Sequence, residues 1–252
     1  MAAPVLVLVM PSAPDPSSQL SAQRIRQRMA RLHPHVETAV AFADPRSGRH
    51  RAPDPATAWQ EAVLVPVDVT HLQDPDRAVV DLASRFQQDH PDIEVRLARP
   101  VGPAPALLSI VDSRLRLAAH RAHCLEMDSL VLSTPDAGDQ RGASVLSRMA
   151  RAWAQHHHLP VHLATNNHES TSVGEVIAQQ RRSGRRHVAV GSLWVCDDTA
   201  SRRHARLCLE AGAEVVAAPL GDDPLLAARA FERYCSAAMG VETVDLGPAR
   251  RD

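Results

Sequence analysis

Residues 6–15, LVLVMPSAPD, and residues 130–139, LVLSTPDAGD, can be laid over one another at an offset of 124. Each begins with an uninterrupted run of Leu and Val and stops at a loop of Pro, small polar residues and Asp. A continuous β-branched run bounded by proline reads as a strand buried on both faces. The loop that follows reads as the entry to a helix. A second pair supports the match. Residues 100–107, PVGPAPAL, lie over residues 219–226, PLGDDPLL, at an offset of 119. Two features in the same order at similar offsets indicate a duplicated βα unit.

The intervening sequence fills in the unit. Val5 to Val9 is the first strand, and Ser17 to Leu32 a helix with Leu20, Ile25, Met29 and Leu32 at helical spacing. Ser17 or Ser18 is suited to cap it, and His33-Pro34 to end it. Strands are expected at Val36 to Phe42, Ala62 to Val69 and Ile93 to Ala98, with helices at Arg77 to Asp89 and Ala104 to His123. The second copy has strands near Val161 to Ala164, His187 to Val190 and Glu214 to Ala217. Alternation of strand and helix implies an α/β protein with parallel sheets of about four strands flanked by helices. The expected division is an N-terminal lobe over 1–124, a C-terminal lobe over 128–245 and a tail over 246–252, with a cleft between the lobes. Ligands of open parallel sheets bind beyond the carboxyl ends of the strands. The loops 10–16, 42–53 and 70–76 of the first copy, and 133–139, 165–171 and 193–199 of the second, are therefore where function is expected.

Composition narrows the chemistry. The chain has 252 residues, 44% of them hydrophobic, and a formal net charge of -1, so no overall field favours nucleic acid or a membrane surface. All basic residues apart from the 14 histidines are Arg, which removes Schiff-base and P-loop lysine chemistry. No GxGxxG follows a strand, and GxSxG and HExxH are absent. The first apolar run is too short for a signal or a membrane span, and the four scattered cysteines suit reduced thiols; a cytoplasmic location is expected.

Several residues on the strand-end loops carry chemistry. His71 and Asp74 follow a buried strand and can ligate a divalent cation or pass protons, although Asp74-Pro75 also reads as a helix start with Asp74 as N-cap. Arg46 and Arg49 in the loop RSGRHR (46–51) offer forked donors to the carboxylates of an anionic ligand, or form a solvated loop. Cys196-Asp197-Asp198 is the second copy's counterpart of the His71 loop. His156-His157-His158 reads as a solvated helix C-terminus that suits the dipole, or as a nonspecific metal tract.

The order of these pieces resembles the sirohydrochlorin chelatase family, the small class II chelatases of the CbiX and SirB type. It is carried by the Ser-x-x-Asp-Pro loop at Ser12 to Pro16, by Val40-Ala41-Phe42-Ala43-Asp44, and by Val65-Pro66. His90-Pro91 followed by Ile93-Glu94-Val95-Arg96, and then Pro100-Val101-Gly102-Pro103-x-Pro105-x-Leu107-Leu108, complete it. The resemblance runs over Val5 to about Leu117, and a weaker second copy, over Leu130 to about Ala238, is similar to tandem-domain members.

The resemblance implies insertion of a divalent metal substrate, Co2+ or Fe2+, into a tetrapyrrole during siroheme or cobalamin biosynthesis, with no organic cofactor. Histidines on facing loops take the metal and the pyrrole protons, acidic residues assist, and Arg and backbone donors meet the ligand carboxylates. The family's His-Gly-Ser stands here as Met10-Pro11-Ser12, its second His falls at Asp74, and its acidic position is kept as Asp44. The implied catalytic set is His71, Asp74 and Asp44, with His71 and Asp74 on the metal and Met10, Ser12, Asp15, Arg46 and Arg49 toward the macrocycle. The short segment between Thr57 and Val63 implies a helix clipped to about two turns. Three readings follow: a divergent chelatase, a non-catalytic protein that binds the tetrapyrrole or metal or pairs with an active paralogue, or a repurposed enzyme acting on another small anionic ligand.

Overall fold

The structure, a computed structural model, describes residues 3–166 and 172–246. Residues 167–171 of the expected second-copy loop 165–171, and 247–252 of the expected tail, lie outside the described residues. The elements run β1 (Val5–Met10), α1 (Pro16–Leu32), β2 (Thr38–Ala43), β3 (His50–Arg51), β4 (Glu61–Pro66), α2 (Arg77–Asp89), β5 (Glu94–Ala98) and α3 (Leu107–Arg121). They continue with β6 (Ser129–Thr134), α4 (Gln140–His157), β7 (Val161–Thr165), α5 (Val173–Arg182), β8 (Val188–Ser192), α6 (Thr199–Glu210), β9 (Val215–Val216), α7 (Pro224–Ala238) and β10 (Thr243–Val244).

Two sheets form. The first has the order β10-β5-β4-β1-β2-β3 and the second β7-β6-β8-β9. The inner strands β5-β4-β1-β2 of the first and all of the second are parallel, and the two sets share one connectivity: the first strand flanked by the second on one side and the third and fourth on the other. The repeat read in the sequence is therefore a repeat of topology. Its markers occupy equivalent places. Asp15 and Asp139, aligned by sequence, are the N-caps of α1 and α4, accepting from Ser18 N–H at 2.8 Å and Gly142 N–H at 2.5 Å. Gly102 and Gly221, the glycines of the repeated Pro-apolar-Gly turn, both have positive φ, 76° and 65°, a region that favours glycine.

The first sheet exceeds the expected four strands because two-residue antiparallel strands, β3 and β10, close its edges. The clipped helix expected between Thr57 and Val63 does not form. Instead the chain makes the hairpin β2-β3 and returns as an irregular segment with a turn closed by Trp59 N–H on Ala56 C=O, and Trp59 drops into the core in place of a helix face. Its indole Nε1 donates to Glu37 Oε1 at 2.8 Å. Two caps also differ from expectation: Asp15 rather than Ser17 or Ser18 caps α1, and Asp76 rather than Asp74 caps α2.

The chain packs as two compact units that are not its linear halves 1–124 and 128–245. Among the described residues, one comprises 3–102 and 221–246, the other 103–166 and 172–220. In unit 1, α7 lies against β4, β5 and α1; in unit 2, α3 lies against β8 and β9. The helix after each fourth strand thus covers the other copy's sheet. Exchange of equivalent elements is available to any duplicated chain, since the two receiving faces are alike and the turns at Gly102 and Gly221 let the backbone redirect.

Each unit has its own core. In unit 1, Val5, Val7 and Val9 of β1 share one buried cluster with Val79, Leu82, Ala83 and Phe86 of α2. In unit 2, α3 and α4 approach β8 so closely that Gly191 has no room for a side chain. A Cβ there would stand 2.5 Å from Trp153 Cη2 and 2.6 Å from Val111 Cγ1. Gly191→Ala is expected to destabilise the protein by about 1–3 kcal/mol through overpacking. Urea unfolding followed by tryptophan fluorescence checks this; an unchanged midpoint would contradict it. No helix among the described residues is long and apolar enough to cross a membrane.

Candidate functional site

The carboxyl ends of β1, β2 and β4 form one rim of unit 1. Register fixes their levels: Met10 lies beside Phe42, and Val9 beside Pro66. The segments that leave β2 and β4 therefore flank β1, about 10 Å apart across two strand spacings. Asp44 follows β2, and the segment 67–76 follows β4.

After Pro66 the chain stays attached to the sheet for one more step, Val67 N–H donating to Val9 C=O at 2.9 Å. It then turns at Asp68. Asp68 is buried, and its Oδ1 accepts from Thr70 N–H and Thr70 Oγ1, both at 2.7 Å, and from His71 N–H at 3.3 Å. Its Oδ2 lies 2.6 Å from His71 Nδ1. Burial alone would raise the Asp68 pKa, but His71 and the hydrogen bonds from Thr70 outweigh it and hold the carboxyl below its ordinary range. An ionised carboxylate on Nδ1 favours the tautomer with the proton on that nitrogen, which puts the basic lone pair on Nε2. The His71 side chain is 15% exposed, so the ring sits in the surface of the rim, not beneath it.

The glycine turn holds this loop from behind. Val101 N–H donates to Pro66 C=O at 3.0 Å and Gly102 N–H to Asp68 C=O at 2.8 Å. A Cβ on Gly102 would meet Leu72 Cδ1 at 2.9 Å and the His71 carbonyl at 3.3 Å. Val101 and Gly102 are thus the backing of the His71 loop.

The other expected site residues are placed as follows. Asp44 is buried and ties the β2-β3 hairpin: its Oδ1 accepts from Arg46 Nε at 3.0 Å and Arg46 N–H at 3.2 Å, its Oδ2 from Ser47 Oγ at 2.6 Å. The loop carrying Arg46 and Arg49 is a closed turn, with Asp44 N–H donating to Arg49 C=O and Gly48 N–H to Asp44 C=O, both at 2.9 Å. Arg46 is an ion-pair partner of Asp44, and Arg49 is exposed. Asp74 is exposed in the same segment as His71. Ser12 is buried, and the carboxylate of Asp15 caps α1 while accepting from Ser17 Oγ at 2.7 Å. Met10 is fully buried, so as packed it offers no surface to a macrocycle.

The equivalent rim of unit 2 is built differently. Leu193 N–H donates to Ser133 C=O at 2.9 Å, as Val67 does to Val9, so Trp194 holds the place of Asp68. Asp197 pairs with Arg202 through two contacts of 2.8 and 3.0 Å, and Asp198 caps α6. Below Trp194 lies a buried histidine, His204, stacked on it with ring centroids 5.1 Å apart. His204 Nε2 is 2.8 Å from Ser133 Oγ and 3.5 Å from Cys208 Sγ, while its Nδ1 has no hydrogen-bond partner among the described residues. Burial lowers the His204 pKa to about 4 and pushes the Cys208 thiol up to about 12. This is a neutral packing cluster, not a base or nucleophile.

Sequence reading missed Asp68, whose signal was a lone charge inside an apolar run taken as strand to Val69. It also missed His204, whose helix gave no local sign that a polar face would be buried.

The fold is sirohydrochlorin chelatase-like. Structural similarity carries that statement. SirB from Bacillus subtilis with Fe3+ matches with a TM-score of 0.68 at 12% identity, over 96% of this chain and 100% of that one. SirB from Bacillus subtilis subspecies spizizenii in complex with cobalt gives 0.66 at 13%, over 96% and 100%. CbiX, described as the terminal enzyme for biosynthesis of siroheme in denitrifying bacteria, gives 0.62 at 17%, over 93% and 99%. By sequence, no family model and no curated protein matches the chain.

Proposed function

We propose that the chain binds a carboxylated tetrapyrrole of the sirohydrochlorin type at the strand-end rim of unit 1, and that His71 is the proton acceptor for insertion of cobalt(II) or iron(II). The observation that carries this reading is the Asp68–His71 pair, 2.6 Å apart, at the end of β4. Metal insertion replaces two pyrrole protons by one divalent cation, so a base of near-neutral strength must take protons while the metal approaches. His71 Nε2 accepts the proton, and the adjacent Asp68 carboxylate stabilises the imidazolium that results. Asp74, exposed three residues along the same segment, supplies an oxygen ligand to the incoming metal. Arg49 is an exposed donor for the ligand's carboxylates. The SirB structures carry Fe3+ and cobalt, which supports a choice between iron and cobalt as metal substrate.

A second reading draws on Met10 and Asp44. A fully buried thioether stands where the family's first histidine is expected, and Asp44 is tied to Arg46 and Ser47. These favour a protein that holds the tetrapyrrole, alone or beside an active paralogue, without inserting metal. One experiment separates the two. The protein is incubated with sirohydrochlorin and cobalt(II), and absorbance is followed against the uncatalysed rate. Acceleration is expected under the first reading. A saturable spectral shift without metal and no acceleration would leave only the second, and neither response would reject both.

A further inference from the structure

A set of metal-ligating side chains gathers in unit 2, remote in sequence from the rim of unit 1. Asp112 projects from the second turn of α3, and His156 and His157 end α4. One ligand atom from each of the three lies within 4.8 Å of the others. His157 Nε2 is 2.8 Å from Asp112 Oδ1. The histidines alone read as a dipole-complementing helix end; the carboxylate comes from a helix 41 residues upstream of Trp153, brought in because α3 packs on the second sheet.

We propose that Asp112, His156 and His157 form a divalent transition-metal site that clips α3 to the end of α4. Two imidazoles and a carboxylate suit zinc, cobalt(II) or nickel(II) more than the hard cations magnesium or calcium. Bonds of about 2.0–2.2 Å to a tetrahedral ion need ligand atoms roughly 3.3 Å apart, so the set has to close by about 1.5 Å at most. His156 is exposed and His157 half-buried, at the end of a helix, and side-chain rotation there supplies that movement. The carboxylate needs no such search. Trp153 Nε1 donates to Asp112 Oδ1 at 2.7 Å and holds it toward α4, the kind of outer hydrogen bond that orients metal ligands. Three protein ligands leave a fourth position open to water or to an exchanging carrier.

Every ligand lies in unit 2, so the site stands or falls apart from the metal-insertion reading of unit 1. The test is a cobalt(II) titration of the full chain at slightly alkaline pH, read by the visible bands of four-coordinate cobalt. The wild type is expected to take up one equivalent with these bands. Asp112→Asn keeps an acceptor for Trp153 but loses the charge, and His156→Gln alters only an exposed position; each is expected to weaken binding at least about tenfold. His71→Ala is expected to leave the bands in place. Bands that persist in both Asp112→Asn and His156→Gln, bands lost only in His71→Ala, or no bands at millimolar cobalt would each overturn the proposal. A zinc-dependent rise in melting temperature, present in wild type and absent in both unit 2 variants, is the matching expectation by a second method.

Discussion

His71→Ala is expected to lower the rate of metal insertion by about 10²- to 10⁴-fold, the range over which a positioned general base contributes. The fold should survive. His71 is on a surface segment that remains held by the backbone bonds of Val101 to Pro66 and Gly102 to Asp68. Asp68→Asn is expected to cost less, and in a different way. The amide oxygen can still accept from the Thr70 and His71 N–H groups, but the NH2 then faces His71 Nδ1, where it cannot stabilise an imidazolium and favours the ring proton on Nε2. The acid limb of the rate profile should therefore move to lower pH in Asp68→Asn, since a carboxylate beside the ring favours its protonated form. Measurement of the cobalt insertion rate against pH for wild type and both variants decides the matter. Wild-type rates in His71→Ala would remove His71 from the reaction; an unmoved profile in Asp68→Asn would reduce Asp68 to a structural turn.

Mild acid is expected to weaken unit 2 through His204. The buried imidazole has a pKa of about 4 when folded and an ordinary value of 6.5 when exposed. Between these values the unfolded chain binds a proton that the folded chain does not. Unfolding stability therefore rises with pH across this window, and it falls as pH drops from 6.5 toward 4. At about 1.4 kcal/mol per unit, the loss amounts to roughly 3 kcal/mol by the acid end. Asp68 acts in the same direction but lower, because its folded-state pKa is depressed below 3.8 and its stabilisation is lost only as pH falls through that depressed value. His204→Phe retains a ring against Trp194 and removes the titration. The variant should be less stable at neutral pH, because Ser133 Oγ loses its partner, yet its denaturation midpoint should change less between pH 6.5 and 4 than that of wild type. Equal pH dependence in the two proteins would show that the acid response lies elsewhere.

Local chemistry alone determined the strands, most helices and the repeat. Continuous Val and Leu runs cannot be left in water, and Pro, Asp and Gly punctuate them wherever they occur. The matched Asp15 and Asp139 caps and the Gly102 and Gly221 turns are readable for that reason: each is satisfied within a few residues. The Asp68–His71 pair was half legible, since both partners lie in one short segment, but the strand had to end at Pro66 rather than Val69 before the carboxylate could turn back on the ring. Tertiary structure decided the rest. Whether Met10 is buried in the core and whether Trp59 replaces a helix depend on what packs from distant parts of the chain. So does the exchange of α3 and α7 between sheets, because a duplicated sequence offers each helix two nearly equivalent faces. The fit of Val111 and Trp153 over the bare backbone of Gly191 records which face α3 took, and that choice is what sets Asp112 beside His157.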